Sequence, residues 1–412
     1  MTRAANDSEP IRIDALGAQG DGVAETGGGK RYIPFALPGE MVRWDGDGLP
    51  EILGEPSPER RAPVCRHFGV CGGCVAQHMS DALYAAWKRD IIVSALKQRG
   101  LEPPVASLVR LPPGTRRRAA FTVRREGREV RLGYLAHGSH TLVDIGECPV
   151  LTPAIVAALG TLRSIARAIP ERELRLAVLH TRAGLDVAVE GIKGKLAGTA
   201  ATELARVAVQ FPIARLSVGE HTIIERAGPA IPIAGMDAPL PPNTFVQAVE
   251  QAETEMVRLV LAATERAKAV ADLFCGVGAF ALALAANARV LAIDSAASAV
   301  AVLTAAARGR SGLKPIETKV RDLFRDPLSP KELAGLDAVI FDPPRAGARA
   351  QAEQLARSRV PTIVAVSCDP GTLARDMRIL VDGGYAIEGV TPIDQFVFAA
   401  HVEAVAVLRR GR

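Results

Sequence analysis

The sequence lacks an apolar run long enough to cross a membrane. A spanning helix needs about 18 consecutive apolar residues, and the nearest candidate, Val277 to Ala286, is soon followed by the polar residues Asn287 and Arg289. The first ten residues, MTRAANDSEP, are polar and include acids, which is not the composition of a secretory signal or a transit peptide. We therefore expect a monomeric cytoplasmic protein that is not embedded in a membrane.

Cysteine is scarce, and neither sign of charge dominates. The 412 residues include six cysteines, and a cytoplasmic protein rarely uses cysteines as a disulfide framework. The formal net charge is +5, which by itself does not indicate a nucleic-acid partner. The length allows two or three domains, and the sequence contains no internal repeat.

The positive charge is unevenly distributed. Between Arg110 and Arg131 there are eight arginines and two acids, and the arginines at 116–118 are consecutive. Such a cluster can neutralise phosphates and give salt-dependent binding to nucleic acid. A pair of solvated polar strands would also account for it, but the stretch favours an RNA-binding surface.

Residue patterns divide the chain into three parts. Residues 1–57 contain short alternating runs between glycine-rich turns, which predicts a small β-barrel. Residues 58–245 open on a linker-like segment and then mix strand-like and helical stretches, which predicts an α+β domain. In residues 246–412, apolar strands alternate with Ala-rich helices, so we expect βαβ units and a parallel sheet. Two final strands, near 386–390 and 402–408, predict an antiparallel hairpin at the sheet edge.

Two glycines, Gly276 and Gly278, stand where a predicted strand turns into a helix. They let the backbone approach a ligand closely, and Asp294, at the end of the next predicted strand, suits the ribose hydroxyls of a nucleotide cofactor. The same spacing satisfies a dinucleotide fingerprint, so an NAD-dependent oxidoreductase is an alternative. Asp272, which would meet a cationic cofactor, and the run Asp342-Pro-Pro-Arg345, which hydride transfer does not need, favour S-adenosylmethionine.

A cysteine and a glutamate are predicted to meet at the sheet edge where open α/β folds bind ligands. Cys368 follows the fifth strand, and Glu403 begins the last strand, which reaches the same edge if it runs antiparallel. A thiolate that adds to carbon 6 of uracil makes carbon 5 nucleophilic, and a carboxylate can then remove the carbon 5 proton. The helix after Pro370 would lower the thiol pKa. A buried structural cysteine is the alternative, and the neighbouring motifs favour catalysis.

Four further cysteines have metal-binding spacing: Cys65, Cys71, Cys74 and Cys148. Four thiolates suit either tetrahedral zinc or an iron–sulfur cluster. His67 and His78 lie nearby in the sequence and leave a mixed zinc site open. The spacing predicts metal binding and does not decide the metal.

The sequence motifs, in the order in which they occur, resemble those of the bacterial RNA (uracil-5-)-methyltransferases. This family modifies tRNA and 23S ribosomal RNA, and the resemblance covers nearly the whole length of the chain. The matching segments are Ala36-Leu-Pro-Gly-Glu40, Cys71-Gly-Gly-Cys74, Asp144-Ile-Gly-Glu-Cys148, Asp272-Leu-Phe-Cys-Gly-Val-Gly278, Phe341-Asp-Pro-Pro-Arg345, Val366-Ser-Cys-Asp-Pro370 and His401-Val-Glu403.

The resemblance implies a fold, cofactors and residue roles. It implies an α/β protein with an N-terminal TRAM-like barrel, a central α+β domain holding a [4Fe–4S] cluster on the four cysteines, and a C-terminal Rossmann-like class I methyltransferase domain. S-adenosylmethionine is the implied cofactor, and RNA is the implied partner, with 23S ribosomal RNA favoured over tRNA. The resemblance makes Cys368 the nucleophile and Glu403 the base. The implied pocket residues are Gln247, Phe274, Gly276, Gly278, Asp294, Asp322 and Asp342.

The sequence departs from the family pattern at three positions. Val249 stands where the family usually has Asn, and Val397 and Ala399 stand at expected Pro and Thr positions. These departures concern fine contacts to the cofactor and the substrate and not the reaction. A non-catalytic RNA-binding protein with a redox cluster is a separate alternative, against which the presence of both Cys368 and Glu403 argues.

Overall fold

The computed structural model describes residues 9–46, 48–127, 129–192, 198–219, 221–233 and 235–411. The first eight residues of the predicted N-terminal unit, Arg128 of the basic stretch and residues 193–197 of a predicted helix lie outside the described residues. Among the described helices, none combines the length and apolar character that a membrane crossing requires.

The N-terminal part consists of short antiparallel strands, as predicted, and these form two separate small sheets. Their strands are β1 (Ile11–Arg12), β2 (Ala15–Leu16), β3 (Gly22–Thr26), β4 (Gly29–Ile33), β5 (Met41–Arg43) and β6 (Glu51–Leu53). The strand orders are β1-β5-β6 and β2-β3-β4. Glu40 is fully buried behind them, where it accepts a hydrogen bond from Leu37 N at 2.8 Å and pairs with Arg60 at 2.6 Å. This ion pair attaches the small unit to the segment that follows it.

Helix α1 (Asp81–Lys97) follows residues 65–74, here called the cysteine segment. Ser80 caps the N-terminus of the helix, and its side chain accepts a hydrogen bond from Leu83 N. Its buried face belongs to the same hydrophobic core as the C-terminal sheet. The helix lies against residues 370–382, which form a helix packed on that sheet. A helix that is distant in sequence thus packs beside the last strands of the chain.

The central part is one seven-stranded sheet with helices. Its elements are β7 (Arg118–Glu126), β8 (Glu129–Leu135), β9 (Leu142–Asp144), α2 (Pro153–Ala157), α3 (Leu159–Arg167), β10 (Glu173–Thr181), β11 (Gly184–Glu190), α4 (Gly198–Val209), β12 (Ile213–Val218) and β13 (His221–Glu225). The strand order is β13-β12-β11-β10-β7-β8-β9. A two-stranded sheet of β14 (Ala230–Ile233) and β15 (Met236–Pro239) leads to the C-terminal part.

The C-terminal part is a doubly wound α/β sheet. Its elements are α5 (Glu250–Ala263), β16 (Ala269–Leu273), α6 (Ala279–Leu284), β17 (Arg289–Asp294), α7 (Ala297–Arg308), β18 (Ile316–Val320), β19 (Ala338–Phe341), α8 (Arg349–Ala356), β20 (Thr362–Ser367), α9 (Pro370–Asp382), β21 (Tyr385–Ile393) and β22 (Glu403–Arg410). The order is β18-β17-β16-β19-β20-β22-β21. The first five strands are parallel, and β22 pairs antiparallel with both β20 and β21.

This topology confirms the predicted parallel sheet and its final antiparallel pair. The central strands β16, β19 and β20 are fully buried because helices cover both faces of the sheet, which explains why they read as largely apolar runs. The carboxyl ends of the parallel strands and the start of β22 share one edge. The candidate functional residues lie along that edge.

Candidate active site

The turn after β16 has an unusual backbone. Phe274, Gly276 and Gly278 all have positive φ angles, of 61°, 52° and 91°. At Gly278 an added Cβ would lie 2.4 Å from Leu303 Cδ1, whereas at Gly276 it would meet no described atom within 4 Å. Gly278 is therefore required for packing, and Gly276 leaves open the space into which a ligand would fit.

Asp294 is fixed against this turn. Its Oδ2 accepts a hydrogen bond from Gly276 N at 2.9 Å, and its Oδ1 accepts one from Ala296 N at 2.8 Å. The carboxylate is thus held at the mouth of the glycine turn and retains free lone pairs, as a contact to ribose hydroxyls requires.

Two aromatic rings lie beside the turn. Phe274 and Phe324 have ring centroids 5.3 Å apart, and Phe324 is half exposed. Asp322 accepts a hydrogen bond from Phe324 N at 2.9 Å. A half-exposed aromatic ring next to a carboxylate is suited to contact a purine base, and Phe324 is a candidate contact that sequence analysis missed.

Asp272 is fully buried in β16, and neither of its carboxylate oxygens meets the geometry of a hydrogen bond with a described residue, although the Ala281 backbone N–H lies close enough to lower its pKa. Burial raises the pKa of Asp272 well above its usual range, and the carboxylates of Asp342 and Asp294 add to the rise. A buried carboxylate without partners is costly. These orphaned oxygens fit a cationic ligand such as S-adenosylmethionine, which carries an ammonium and a sulfonium.

Strand register brings the predicted nucleophile and base together. Ser367, the last residue of β20, pairs with Ala404 of β22. Cys368 and Glu403, one residue further in each strand direction, therefore lie next to each other at the sheet edge. The predicted antiparallel course of the last strand is confirmed, and with it the shared edge.

A chain of side-chain amides links the carboxylates of the site. Gln395 Nε2 donates to Glu403 Oε2 at 2.9 Å and lies 2.9 Å from Gln247 Oε1, and Gln247 Nε2 donates to Asp342 Oδ2 at 2.9 Å. Glu403 Oε1 is buried and has no partner among the described residues. One oxygen of Glu403 is thus held in place while the other is free to take a proton.

The charges of the site raise the pKa values of its acids. Burial raises the pKa of Asp342 to about 7, and burial together with the Asp342 carboxylate raises the pKa of Glu403 well above its usual range. A carboxyl group with a pKa near 7, as at Asp342, suits proton transfer near neutral pH, and the raised pKa of Glu403 makes it a better proton acceptor than an exposed carboxylate.

The predicted effect of helix α9 on Cys368 is wrong. Burial raises the pKa of the Cys368 thiol to about 11, with further increases from Glu403 and Asp342, and only Arg345 among the neighbouring side chains lowers it. The N-terminus of α9 is already capped, because Asp369 accepts a hydrogen bond from Thr372 N at 2.8 Å. Burial, together with the nearby carboxylates, therefore outweighs any effect of the helix on the thiol pKa.

Arg345 and Arg116 line a cavity of about 450 Å³ that reaches from the site edge to the cysteine segment. Arg345 lies 3.0 Å from His401 Nε2, and the Arg116 guanidinium lies 5.7 Å from the Phe396 ring centroid. Neither arginine forms an ion pair with a described carboxylate. This end of the cavity is therefore positively charged.

Most arginines of the basic stretch are already engaged. Four of them pair with carboxylates: Arg110 with Asp81, Arg117 with Glu253, Arg124 with Glu173 and Arg131 with Glu129. Arg117 is buried, with its side chain also bonded to the Gln247 carbonyl, so it is not available to an RNA phosphate. Of the three consecutive arginines at 116–118, Arg116 and Arg118 form no ion pair with a described carboxylate.

The four cysteines of the predicted metal site line the other end of the same cavity. Gly72 packs so closely on β8 that an added Cβ would lie 2.8 Å from the Leu135 carbonyl oxygen. The cysteine segment therefore lies directly against the central sheet. Among the described residues, no three His, Cys, Asp or Glu side chains are close enough to hold a single metal ion.

The two histidines considered for a mixed zinc site differ in position. His67 lines the cavity, and its Nε2 accepts a hydrogen bond from Gly146 N at 3.2 Å. His78 is buried and packs against the rings of Phe35 and Phe68. Burial lowers the pKa of His78 to about 4, which keeps this ring neutral.

Sequence analysis missed Gln395, which joins both halves of the amide network. It lies eight residues before Glu403, in the segment that connects β21 to β22, and no sequence motif marks it. The departure at Val249 is also explained in part, because its side chain is buried in the apolar core and only its backbone N–H reaches Gln395, at 3.4 Å.

Comparisons with known proteins identify the family and the fold. A sequence profile of the tRNA (uracil-5-)-methyltransferase family matches residues 318–411. An RNA methyltransferase of Rhizobium meliloti, described as uncharacterized, is 49% identical over 97% of this chain and 99% of its own length. The 23S rRNA (uracil(1939)-C(5))-methyltransferase RlmD of Halomonas elongata is 33% identical over 96% of this chain and 88% of its own length.

Among solved structures, the tRNA (uracil-54, C5)-methyltransferase of Pyrococcus abyssi, crystallised with S-adenosyl-L-homocysteine, superposes with a TM-score of 0.74. The match covers 97% of this chain and 100% of the archaeal chain at 24% sequence identity. The similarity therefore extends over the whole fold, including the parts that precede the C-terminal sheet.

Proposed function

The chain belongs to the family of S-adenosylmethionine-dependent RNA (uracil-5-)-methyltransferases, and we propose that it methylates carbon 5 of a uridine in 23S ribosomal RNA. The observation that carries the reaction is the pairing of Cys368 with Glu403 at the edge that also holds the glycine turn. The choice of 23S ribosomal RNA over tRNA is supported by the Halomonas relative, which is named for that substrate and matches most of this chain.

We propose the following roles in the reaction. S-adenosylmethionine, when bound, supplies an activated methyl group. The Cys368 thiol would lose its proton to solvent, and its sulfur would bond to carbon 6 of the uracil, which converts the C5–C6 double bond into an enolate. Carbon 5 would then take the methyl group as the methyl–sulfonium bond breaks and S-adenosylhomocysteine is left. Glu403 Oε1 then accepts the carbon 5 proton, the electron pair restores the C5–C6 double bond, and the bond between Cys368 Sγ and carbon 6 breaks. The free oxygen of Glu403 and its raised pKa support this assignment.

The pocket residues divide into two groups in this proposal. Gln247 and Asp342, which are hydrogen-bonded to each other, face the uracil. Asp294 takes the ribose hydroxyls of the cofactor, and Asp322 and Phe274 take its adenine. Asp272, with its orphaned oxygens, takes the cationic end. The target uridine must leave any base stack to reach a pocket at the sheet edge.

The cysteine segment is proposed to hold a [4Fe–4S] cluster. In such a cluster each thiolate binds a different iron, so the four sulfurs surround a volume and do not converge on one point. The four cysteines line one cavity, which supports a shared metal site, and the choice of a cluster over zinc rests on the family resemblance of the Cys71-Gly-Gly-Cys74 and Asp144–Cys148 segments. We assign the cluster to Cys65, Cys71, Cys74 and Cys148.

The RNA is proposed to lie across the charged end of the cavity and the N-terminal unit. Arg116 and Arg345, which lack carboxylate partners among the described residues, are placed to contact phosphates next to the flipped uridine. The two small N-terminal sheets would act as a TRAM-like RNA-binding barrel, and we propose the domain limits 1–57, 58–245 and 246–412. A cytoplasmic, monomeric enzyme is consistent with these roles.

The function is tested by mapping 5-methyluridine by mass spectrometry in the 23S ribosomal RNA and tRNA of a strain lacking the gene. We expect one 5-methyluridine of 23S ribosomal RNA to disappear and to return with the wild-type gene but not with Cys368→Ala. Loss of a tRNA site would overturn the RNA assignment. Loss of no site, with NADH bound in place of S-adenosylmethionine, would overturn the reaction.

A further inference from the structure

The segment that carries the catalytic base is anchored by a residue far away in the sequence. Residues 394–402 connect β21 to β22 and include Gln395, which holds Glu403. Tyr84 of helix α1 is buried beneath this segment. Its hydroxyl donates to Asp394 Oδ1 at 2.8 Å and accepts a hydrogen bond from Phe398 N at 2.9 Å. One hydroxyl thus joins two points of the segment.

Phe398 has a backbone conformation that requires support. Its φ angle is 62°, which is costly for a residue with a bulky side chain and persists only where the surroundings determine it. Besides the Tyr84 contact, its carbonyl accepts hydrogen bonds from Val75 N at 2.8 Å and from Ala76 N at 3.2 Å. The N–H of Phe398 is therefore held by Tyr84 of helix α1, and its carbonyl is held by the backbone of residues 75 and 76.

Lys88, one turn after Tyr84, holds the same segment from beneath. It is fully buried, pairs with Asp394 at 3.1 Å, and donates to the carbonyl of Phe396 at 3.0 Å and to that of His401. All of these contacts are with the segment that leads into Glu403. Helix α1 thus supplies a hydroxyl and an ammonium group to one nine-residue connection.

We propose that Tyr84 is a positioning residue for proton removal: through Asp394 and Phe398 its hydroxyl holds residues 394–402 in the shape that keeps Gln395 bonded to Glu403 beside Cys368. This inference rests on the proposed function. Tyr84 does not touch the reacting atoms, and its effect falls on the last step, in which Glu403 takes the carbon 5 proton and the bond from sulfur to carbon 6 breaks.

The variant Tyr84→Phe tests the proposal because it removes the hydroxyl and retains the ring, which packs against Trp87 and Phe398 at centroid distances of 6.0 and 5.8 Å. Tyr385→Phe is a matched control. Tyr385 is also buried, and its hydroxyl donates to the Val360 carbonyl at 2.8 Å, but it lies at the opposite end of β21.

With unmodified 23S ribosomal RNA transcript and S-adenosylmethionine, Tyr84→Phe should lower kcat about tenfold and leave KM for RNA within about twofold. It should also accumulate a covalent protein–RNA adduct that survives denaturing electrophoresis, because methyl transfer proceeds while release slows. Glu403→Gln serves as the reference for this adduct, and Tyr385→Phe should behave like wild type. A Tyr84→Phe variant without adduct, where Glu403→Gln shows one, overturns the proposal and leaves the function intact.

Amide hydrogen exchange tests the anchoring without any activity. Residues 394–402 should exchange faster in Tyr84→Phe than in wild type or Tyr385→Phe, since Phe398 N no longer has its acceptor. Equal exchange in all three proteins overturns the proposal. If neither wild type nor Glu403→Gln reacts with any RNA, the proposed function fails, and the exchange measurement alone decides whether Tyr84 anchors the segment.

Discussion

Gln395 donates a hydrogen bond to Glu403 Oε2 at 2.9 Å and leaves Glu403 Oε1 without a partner among the described residues. This single contact orients the carboxylate and reserves one oxygen for the reaction. It also connects the base, through Gln247, to Asp342 on a different strand. The network makes specific changes in the site testable.

Replacing Gln395 by Leu should move the acid limb of the kcat profile to higher pH. Burial and the Asp342 carboxylate raise the pKa of Glu403, and the Gln395 hydrogen bond lowers it, so removal of that bond raises the pKa further. Because Glu403 must be ionised to accept a proton, activity then requires a higher pH. Gln351→Leu removes another buried amide, bonded to Leu328, and should leave the profile unchanged. An unshifted Gln395→Leu profile would contradict the assigned role.

Asp342→Asn should make Cys368 a stronger acid. The Asp342 and Glu403 carboxylates add to the effect of burial in raising the pKa of the thiol to about 11, and removal of one negative charge favours the thiolate. The rate of Cys368 alkylation by iodoacetamide, followed by peptide mass spectrometry as a function of pH, should shift to lower pH. Arg345→Gln should shift it the other way, because Arg345 lowers the pKa. The same direction in both variants would refute this electrostatic account.

Arg116→Gln should weaken RNA binding and reduce its dependence on salt. When a protein binds a single strand, removing one bond to a phosphate reduces the slope of log affinity against log salt by about 0.7. Arg124→Gln is the matched control, since Arg124 lies on β7, which begins two residues after Arg116, and is paired with Glu173 at 3.2 Å. Filter binding at several salt concentrations measures both slopes. Equal slopes for the two variants would show that Arg116 does not bind a phosphate.

Gly278→Ala should destabilise the protein by about 1–3 kcal/mol. Its φ angle is 91°, and the new methyl would lie 2.4 Å from Leu303. Gly276→Ala meets no described atom within 4 Å and should reduce stability less, while obstructing the cofactor space. Thermal unfolding with and without S-adenosylmethionine separates the two effects. Greater destabilisation in Gly276→Ala would contradict the packing argument.

Cys74→Ser should remove bound iron and the broad visible absorption expected of a [4Fe–4S] protein, because a hydroxyl is a poor ligand for such a cluster. Cys275→Ser, which changes the buried thiol of the cofactor turn, should retain both. Iron and sulfide analysis of protein purified without oxygen provides the measurement. A colourless wild-type protein that contains zinc would overturn the assignment of an iron–sulfur cluster to this site.

The sequence predicted most elements of the C-terminal part because buried parallel strands read as uninterrupted apolar runs and their helices as Ala-rich segments. It also identified the glycine turn, Asp294, Cys368 and Glu403, since each follows or begins a strand at a recognisable break. The antiparallel course of the last strand followed from the absence of a helix before it. These features are local or depend on strand order alone.

Only the tertiary structure decided the electrostatics and the support of the site. The expected lowering of the Cys368 pKa considered the nearest helix, whereas the observed rise depends on burial and on Glu403 and Asp342, which are distant in sequence. Arg117 reads as part of a basic cluster but is buried against Glu253. Gln395 and Tyr84 carry no motif that marks their roles. Burial and pairing depend on which side chains meet across the fold, and a linear pattern records residue types without those contacts.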